Sequence, residues 1–243
     1  ATEAQQALAR LFETHEHAVF FGGAGVSTAS GIPDFRSVDG LYRQQFDYPP
    51  ETMLSHSFFV SHKPDFYNFY RKKMIALDAK PNRAHTKLAE LEAAGKLDAV
   101  VTQNIDGLHQ MAGSKNVFEL HGSVHRNVCQ RCGKTYDAKW IMAREHEDAQ
   151  GVPICPLCRG EIKPDVVLYE EPLDDNVVNG AVDAIAHADT LIIGGTSLVV
   201  YPAASLTRFF NGDKLVTINR DPTPQDHNAD LLISCDIAAA FDF

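Results

Sequence analysis

The chain has 243 residues, long enough to bury one large core and to carry a smaller inserted unit. Its 44% hydrophobic and 22% charged content is ordinary for a globular protein, and a formal net charge of −10 argues against direct nucleic-acid binding, which needs a basic patch. No stretch approaches the roughly 18 apolar residues that would span a bilayer, so no membrane partner is expected and the cytoplasm is the expected compartment.

Residues 1–12, ATEAQQALARLF, repeat with helical period and lack the basic region and apolar run of a signal peptide. His17 to Phe21 reads as a buried strand, followed by Gly22-Gly23-Ala24-Gly25-Val26-Ser27. Such a turn lets backbone approach a pyrophosphate at a helix N-terminus, although glycine-rich turns also serve packing. Gly31-Ile32-Pro33-Asp34-Phe35-Arg36 then puts a rigid turn, an aromatic ring and a cation in a loop long enough to fold over a ligand.

Residues 36–80 are aromatic and helical, with a helix expected over Pro64 to Leu77 and another over Asn82 to Ala94. In the first of these, Arg71 is expected on a solvated face. A second strand, Asp98 to Thr102, runs into Thr102-Gln103-Asn104-Ile105-Asp106. The end of a strand in an open α/β sheet is where ligands bind, and Asn104 and Asp106 could hydrogen-bond an amide there, or one of them could cap a helix. Glu119-Leu120-His121-Gly122 closes another short apolar run. With eleven histidines in the chain most are structural, but a strand-end imidazole followed by glycine could face the crevice as a general base.

The next segment, 122–165, holds Cys129-x-x-Cys132 and Cys155-x-x-Cys158. Two such pairs on tight turns complete a tetrahedron for one Zn²⁺, and four thiolates leave the ion no open position, so the site is expected to be structural. Two disulfides or four free thiols are the alternatives. A helix is expected between the pairs, over Ala138 to Ala149. The fifth cysteine, Cys235, reads as a small buried or cofactor-lining residue.

The remainder alternates helices, Asn176 to Ala188 and Pro202 to Phe210, with strands Thr190 to Ile193, Lys214 to Ile218 and Leu231 to Ser234. The fold expected is an α/β, doubly wound parallel (Rossmann-like) sheet domain with a smaller inserted helical plus zinc-ribbon domain. Residues 1–35, 81–121 and 166–243 would form the sheet domain, discontinuous in sequence; 36–80 and 122–165 would form the small one.

In this order, the motifs closely resemble the sirtuin family of NAD-dependent protein-lysine deacylases, of bacterial, deacetylase-like type. The resemblance takes in GAGVS at 23–27, GIPDFR at 31–36, TQNID at 102–106, HG at 121–122, the four cysteines, KPDVVLYEE at 163–171, GTSL at 195–198, VTIN at 216–219, and Cys235-Asp236. It implies that NAD lies between the two domains and that acetyl-lysine enters from the other side. Ala24, Gly25 and Arg36 would hold the phosphates, while Gly195, Thr196, Ser197, Asn219 and Asp236 would surround the adenosine half. Gly23, Ser27 and Arg220 would also contact the cofactor. Gln103, Asn104, Ile105 and Asp106 would line the nicotinamide pocket. Phe35 would shield the reacting ribose carbon.

In that scheme His121 and Asn104 are the catalytic residues. The acyl oxygen attacks the ribose carbon as nicotinamide leaves, and His121 takes a proton from the ribose hydroxyls on the way to lysine and O-acetyl-ADP-ribose. The substrate peptide would pair between Val166 to Tyr169 and Ser197 to Tyr201, with Val167 receiving the acyl-lysine amide proton and Leu168 and Val199 nearby. The usual FGE of the family is read as Leu168-Tyr169-Glu170. No Tyr-x-x-Arg pair is present, so acetyl is expected over succinyl groups. A dehydrogenase would show fuller GxGxxG spacing; an NAD-dependent deacylase of longer or acidic acyl groups, a mono-ADP-ribosyltransferase, or a non-catalytic NAD-sensing zinc-ribbon interaction module remain the alternatives.

Overall fold

In the computed structural model, residues 2–34 and 47–243 are described. Nine strands occur among them: β1 Ala18–Gly22, β2 Leu97–Thr102, β3 Val117–Glu119, β4 Gly122–Cys129, β5 Thr135–Tyr136, β6 Ile162–Val166, β7 Thr190–Gly194, β8 Lys214–Ile218 and β9 Leu231–Ile233. Six of them form one parallel sheet in the order β3-β2-β1-β7-β8-β9. The chain therefore winds outward in one direction from β1 and in the other from β7, which makes a crevice at the C-terminal ends of those two strands.

The central strands are apolar on both faces because both are covered. Every residue of β1 and β7 is buried. Successive side chains alternate across the sheet: Ala18 and Phe20 join a core with Leu8, Phe12, Leu88 and Phe241, while Val19 and Phe21 join one with Ala181, Ile185 and Leu206. Helices Glu3–Thr14, Arg83–Ala93 and Ile237–Ala240 supply the first layer, and helix Asp175–His187 with the 3₁₀ segment Ala203–Phe209 supplies the second. The helices start where a side chain accepts from their free N–H groups. Thr2 and Gln5 form a capping box, Asn82 and His85 form another, and Asp174 accepts from the amide of Val177.

A second, antiparallel sheet has the order β5-β4-β6. Its core is continuous with that of residues 53–75, where Phe59, Phe66, Tyr67 and Tyr70 pack with Val124, Ile141 and Ile162. The two phenols are wholly buried and are satisfied across this boundary. Tyr67 donates to the carbonyl of Ile162, and Tyr70 donates to Asn127 Oδ1 at 2.6 Å.

Five sequence expectations change. The helix expected over Ala138 to Ala149 stops at Ala143, where Arg144 turns left-handed (φ 59°) and the Asp148 carboxylate takes the amides of Gln150 and Val152 into a tight turn. Pro202 to Phe210 is 3₁₀ rather than α, with the Ser205 and Thr207 hydroxyls bonded to carbonyls three residues back. The helix N-terminus expected after the glycine turn is instead a pair of short 3₁₀ turns, Ala24–Val26 and Thr28–Ser30. The helix from Lys63 ends at Phe69 in a single π turn, Tyr70–Met74, with the amide of Ile75 bonded to the carbonyl of Tyr70 at 3.0 Å. Arg71, on that turn, is not solvated: it is 8% exposed and bonds the carbonyls of Ile141 and Gly151 and the Glu147 carboxylate.

Candidate active site

Four strand ends of the large sheet meet the edge of the small one around a cavity of about 280 Å³. From β1 come Ala24 and Ser27, from β2 Gln103, Asn104, Ile105 and Asp106, from beyond β3 His121, and from β7 Gly195, Thr196 and Ser197. The end of β6 and the segment after it, Val166 to Glu171, close the opposite wall. Ile32, Leu54, Met74, Leu168 and Leu173 give the cavity an apolar side. Leu54, Met74 and Leu173 carried no motif, and only the folded chain gathers them.

Glycine is required here by backbone crossing backbone. The amide of Gly25 donates to the carbonyl of Gly195 at 2.8 Å, and a Cβ on Gly25 would come within 2.8 Å of the Gly195 Cα. Packing alone thus requires glycine in this turn. At Gly122 (φ 76°) a Cβ would lie 1.9 Å from the Asp165 carbonyl oxygen, so the residue after His121 must be glycine for β4 to meet β6.

His121 Nδ1 lies 3.0 Å from the carbonyl oxygen of Gln103. A carbonyl only accepts, so Nδ1 carries the proton and Nε2 is the basic nitrogen of the ring. Asn104 donates through Nδ2 to the carbonyl of Gly23 at 2.9 Å, and its own amide donates to Thr102 Oγ1 at 2.9 Å, which fixes the side chain against the first turn. Asp106 does two things at once. One carboxylate oxygen accepts the amide of Leu108 at 2.9 Å, starting helix Leu108–Ala112, and the other accepts the Ser27 hydroxyl at 2.6 Å.

Not every expected site residue reaches this cavity. Gly23 and Gly25 shape its backbone without lining it, and Val199 is 53% exposed outside it. Asn219, Arg220 and Asp236 stand at the ends of β8 and β9 but do not line it either. The Asp236 carboxylate caps helix Ile237–Ala240 and pairs with Arg220 at 2.8 Å. Cys235 is half-buried and also lies outside the lining. Phe35 and Arg36 fall outside the described residues.

One motif moves in register. Of the segment read as Leu168-Tyr169-Glu170, the residue with left-handed backbone is Glu170 (φ 76°), the conformation that the glycine of FGE would supply. Tyr169-Glu170-Glu171 is therefore the matching triplet. Glu170 sits in this conformation while its carboxylate grips the amide and hydroxyl of Ser57 at 3.0 and 2.6 Å.

The four paired cysteines converge at the far end of β4. Their sulfurs all lie within 4.8 Å of one another, with Cys129 to Cys158 at 3.4 Å and Cys132 to Cys155 at 3.7 Å. Disulfide sulfurs would be about 2.05 Å apart; four thiolates about 2.3 Å from one zinc would be roughly 3.8 Å apart. The donor set and spacing fit one Zn²⁺. Gly160 leaves room for the cluster, since a Cβ there would meet Cys129 Sγ at 2.7 Å, and the Tyr136 hydroxyl lies 3.1 Å from Cys155 Sγ as an outer partner. The length of β4 separates this centre, at the C-terminal end of the strand, from His121, just before its start.

The family model described as the Sir2 family matches residues 23–202. A protein of Clostridium acetobutylicum named NAD-dependent protein deacetylase is 62% identical over 89% of this chain and 87% of its own length. One of the same name from Clostridium perfringens is 59% identical over 93% of this chain and 92% of its own. Among solved structures, "Sir2-p53 peptide-NAD+" aligns with a TM-score of 0.84 at 39% identity, covering 98% of this chain and 95% of that one. "Sir2 bound to acetylated peptide" aligns with a TM-score of 0.85 at 38% identity and the same coverage.

Proposed function

The chain belongs to the Sir2 family and is an NAD-dependent protein deacetylase, and we propose that His121 is the base of this reaction, with Asn104 and Asp106 holding the nicotinamide end of NAD. The observation that carries the assignment is the His121 Nδ1 bond to the Gln103 carbonyl, which makes Nε2 of a cavity-lining imidazole the proton acceptor. NAD, when bound, supplies a ribose carbon that can accept the acyl oxygen as nicotinamide departs. The chain itself has to orient, dry and deprotonate.

Asn104, fixed by Gly23 and Thr102, and Asp106, fixed by Ser27 and Leu108, present polar groups suited to an amide. Ala24, Gly25 and Ser27, with Gly23 beside them, bring backbone close enough to carry the diphosphate, and Gly195, Thr196 and Ser197 face the same crevice. Arg36 and Phe35 are assigned to the phosphate and ribose by motif. Asn219, Arg220 and Asp236 are assigned to the adenosine end, away from the reacting centre. The apolar wall of Leu54, Met74, Val166 and Leu168 excludes water and takes the acyl-lysine chain, with Val167, Tyr169 and Val199 along the peptide. His121 Nε2 then accepts a proton from a ribose hydroxyl.

Cys129, Cys132, Cys155 and Cys158 hold the structural zinc, which braces the small unit of residues 36–80 and 122–165 against the sheet unit of 1–35, 81–121 and 166–243. Among the described residues no helix is long and apolar enough to cross a membrane. We place the protein in the cytoplasm, where zinc-bound thiolates stay reduced. Incubation with NAD and an acetylated peptide, followed by mass spectrometry, tests the reading. Nicotinamide, deacetylated peptide and O-acetyl-ADP-ribose should form in equal amounts; ADP-ribosylated peptide, or acetate release without NAD consumption, would overturn it.

A further inference from the structure

His85 lies in the first turn of helix Arg83–Ala93 and is 0% exposed. Its Nδ1 takes the backbone N–H of Asn82 at 3.1 Å. An amide N–H only donates, so Nδ1 is unprotonated and the neutral ring carries its proton on Nε2. That nitrogen faces Ser27 Oγ at 3.4 Å. Ser27 is itself 1% exposed and has one hydroxyl proton, which goes to Asp106 Oδ2 at 2.6 Å because the carboxylate can only accept. The remaining lone pairs of Oγ face His85 Nε2 and, at 3.4 Å, Asn104 Nδ2. Each hydrogen in this chain thus has one direction.

We propose that His85 is a positioning residue for the nicotinamide-binding groups: acting through Ser27, it fixes the orientation of Asp106 and Asn104. The proposal rests on the assignment of those two residues to nicotinamide. The helix cap needs only Nδ1; the contact of Nε2 with Ser27 serves no cap, and it points at the pocket. His109, 1% exposed, packs against the imidazole with ring centroids 4.8 Å apart and planes 66° apart, which restrains the ring from the other side. Burial holds His85 neutral down to about 4, against the opposing pull of the Asp106 charge, so the directed chain persists at neutral pH.

The test is product inhibition by nicotinamide, with KM for NAD, on the zinc-loaded chain turning over an acetylated peptide. His85→Leu and Ser27→Ala should each raise the nicotinamide inhibition constant and KM for NAD about tenfold. The double variant should be no worse than the worse single one, because both break the same chain. His85→Gln, which can accept from Asn82 and donate to Ser27, should return to within about threefold of wild type. A purely structural His85 would lower the melting temperature and leave both constants unchanged, which refutes the proposal. If His85→Leu fails to fold, Ser27→Ala, which leaves the helix cap intact, decides the matter: unaltered constants there refute it equally. A wild-type chain that did not consume NAD would instead refute the functional reading on which the proposal stands.

Discussion

Replacing Arg71 by Met keeps most of the aliphatic stem and deletes the guanidinium. In the folded chain that group donates to Ile141 O at 3.2 Å and Gly151 O at 2.6 Å, pairs with Glu147 at 3.1 Å, and lies 5.7 Å from the centre of the Tyr67 ring. Its side chain is 7% exposed and that of Glu147 is 21% exposed. Breaking a buried pair by removing one partner costs about 3–5 kcal/mol, because the other partner stays desolvated. Glu147 keeps Arg144 at 3.0 Å, so the cost falls at the low end, about 3 kcal/mol. Urea unfolding of the zinc-loaded protein, with the slope checked for constancy, measures it. Arg71→Met/Glu147→Gln should recover about 1 kcal/mol by removing the stranded charge. A loss within about 0.5 kcal/mol for Arg71→Met, as for an arginine on a solvated face, would refute the reasoning.

Acid should destabilise the fold through His85 and His109, which burial lowers to about 4 and about 3. Both stay neutral when folded while the unfolded chain takes up protons below about 6.5, so their contribution is complete above that pH and falls as pH drops toward 4. At pH 5 each costs about 2 kcal/mol, and His109→Leu should shrink the loss between pH 7.5 and 5 by about that amount; an unchanged pH profile would contradict it. Cys129→Ser should release zinc and melt the small unit, read by metal content and near-ultraviolet circular dichroism, whereas retained zinc would contradict the four-thiolate centre. Acetyl should be preferred to succinyl on one peptide by kcat/KM, since Tyr67, Tyr70 and Arg71 are all spent inside the core. Lys73 is the lysine among the cavity-lining residues, and a reversed preference abolished by Lys73→Ala would assign it the acyl carboxylate instead.

Much of this was legible in the chain. The Val- and Ile-rich runs at 98–102, 190–193 and 214–218 are strands because a doubly covered parallel sheet favours apolar residues on both faces, and that pressure is visible in their consecutive apolar positions. The motifs at their ends mark the crevice, and paired cysteines mark a tetrahedral centre. What was not legible depends on partners distant in sequence. Arg71 looks like a surface cation until Glu147 and the Gly151 carbonyl fold over it, and the π turn that presents it has no local signature. Helix 138–143 ends early because Asp148 bonds backbone in the turn ahead of it. Glu170 holds a glycine-like conformation alongside its bonds to Ser57, more than a hundred residues away, which shifted the motif by one place. His85 offered only the Asn82-x-x-His85 spacing of a capping box, and its link to Ser27 exists only in three dimensions.

The central claim is that a single imidazole at a strand end does the proton chemistry while the zinc centre does none. His121→Ala, confirmed as folded and zinc-loaded, should lose NAD-dependent deacetylation of an acetylated peptide by at least about 10²-fold in kcat, in line with removal of a general base. Turnover within a few fold of wild type would contradict the account.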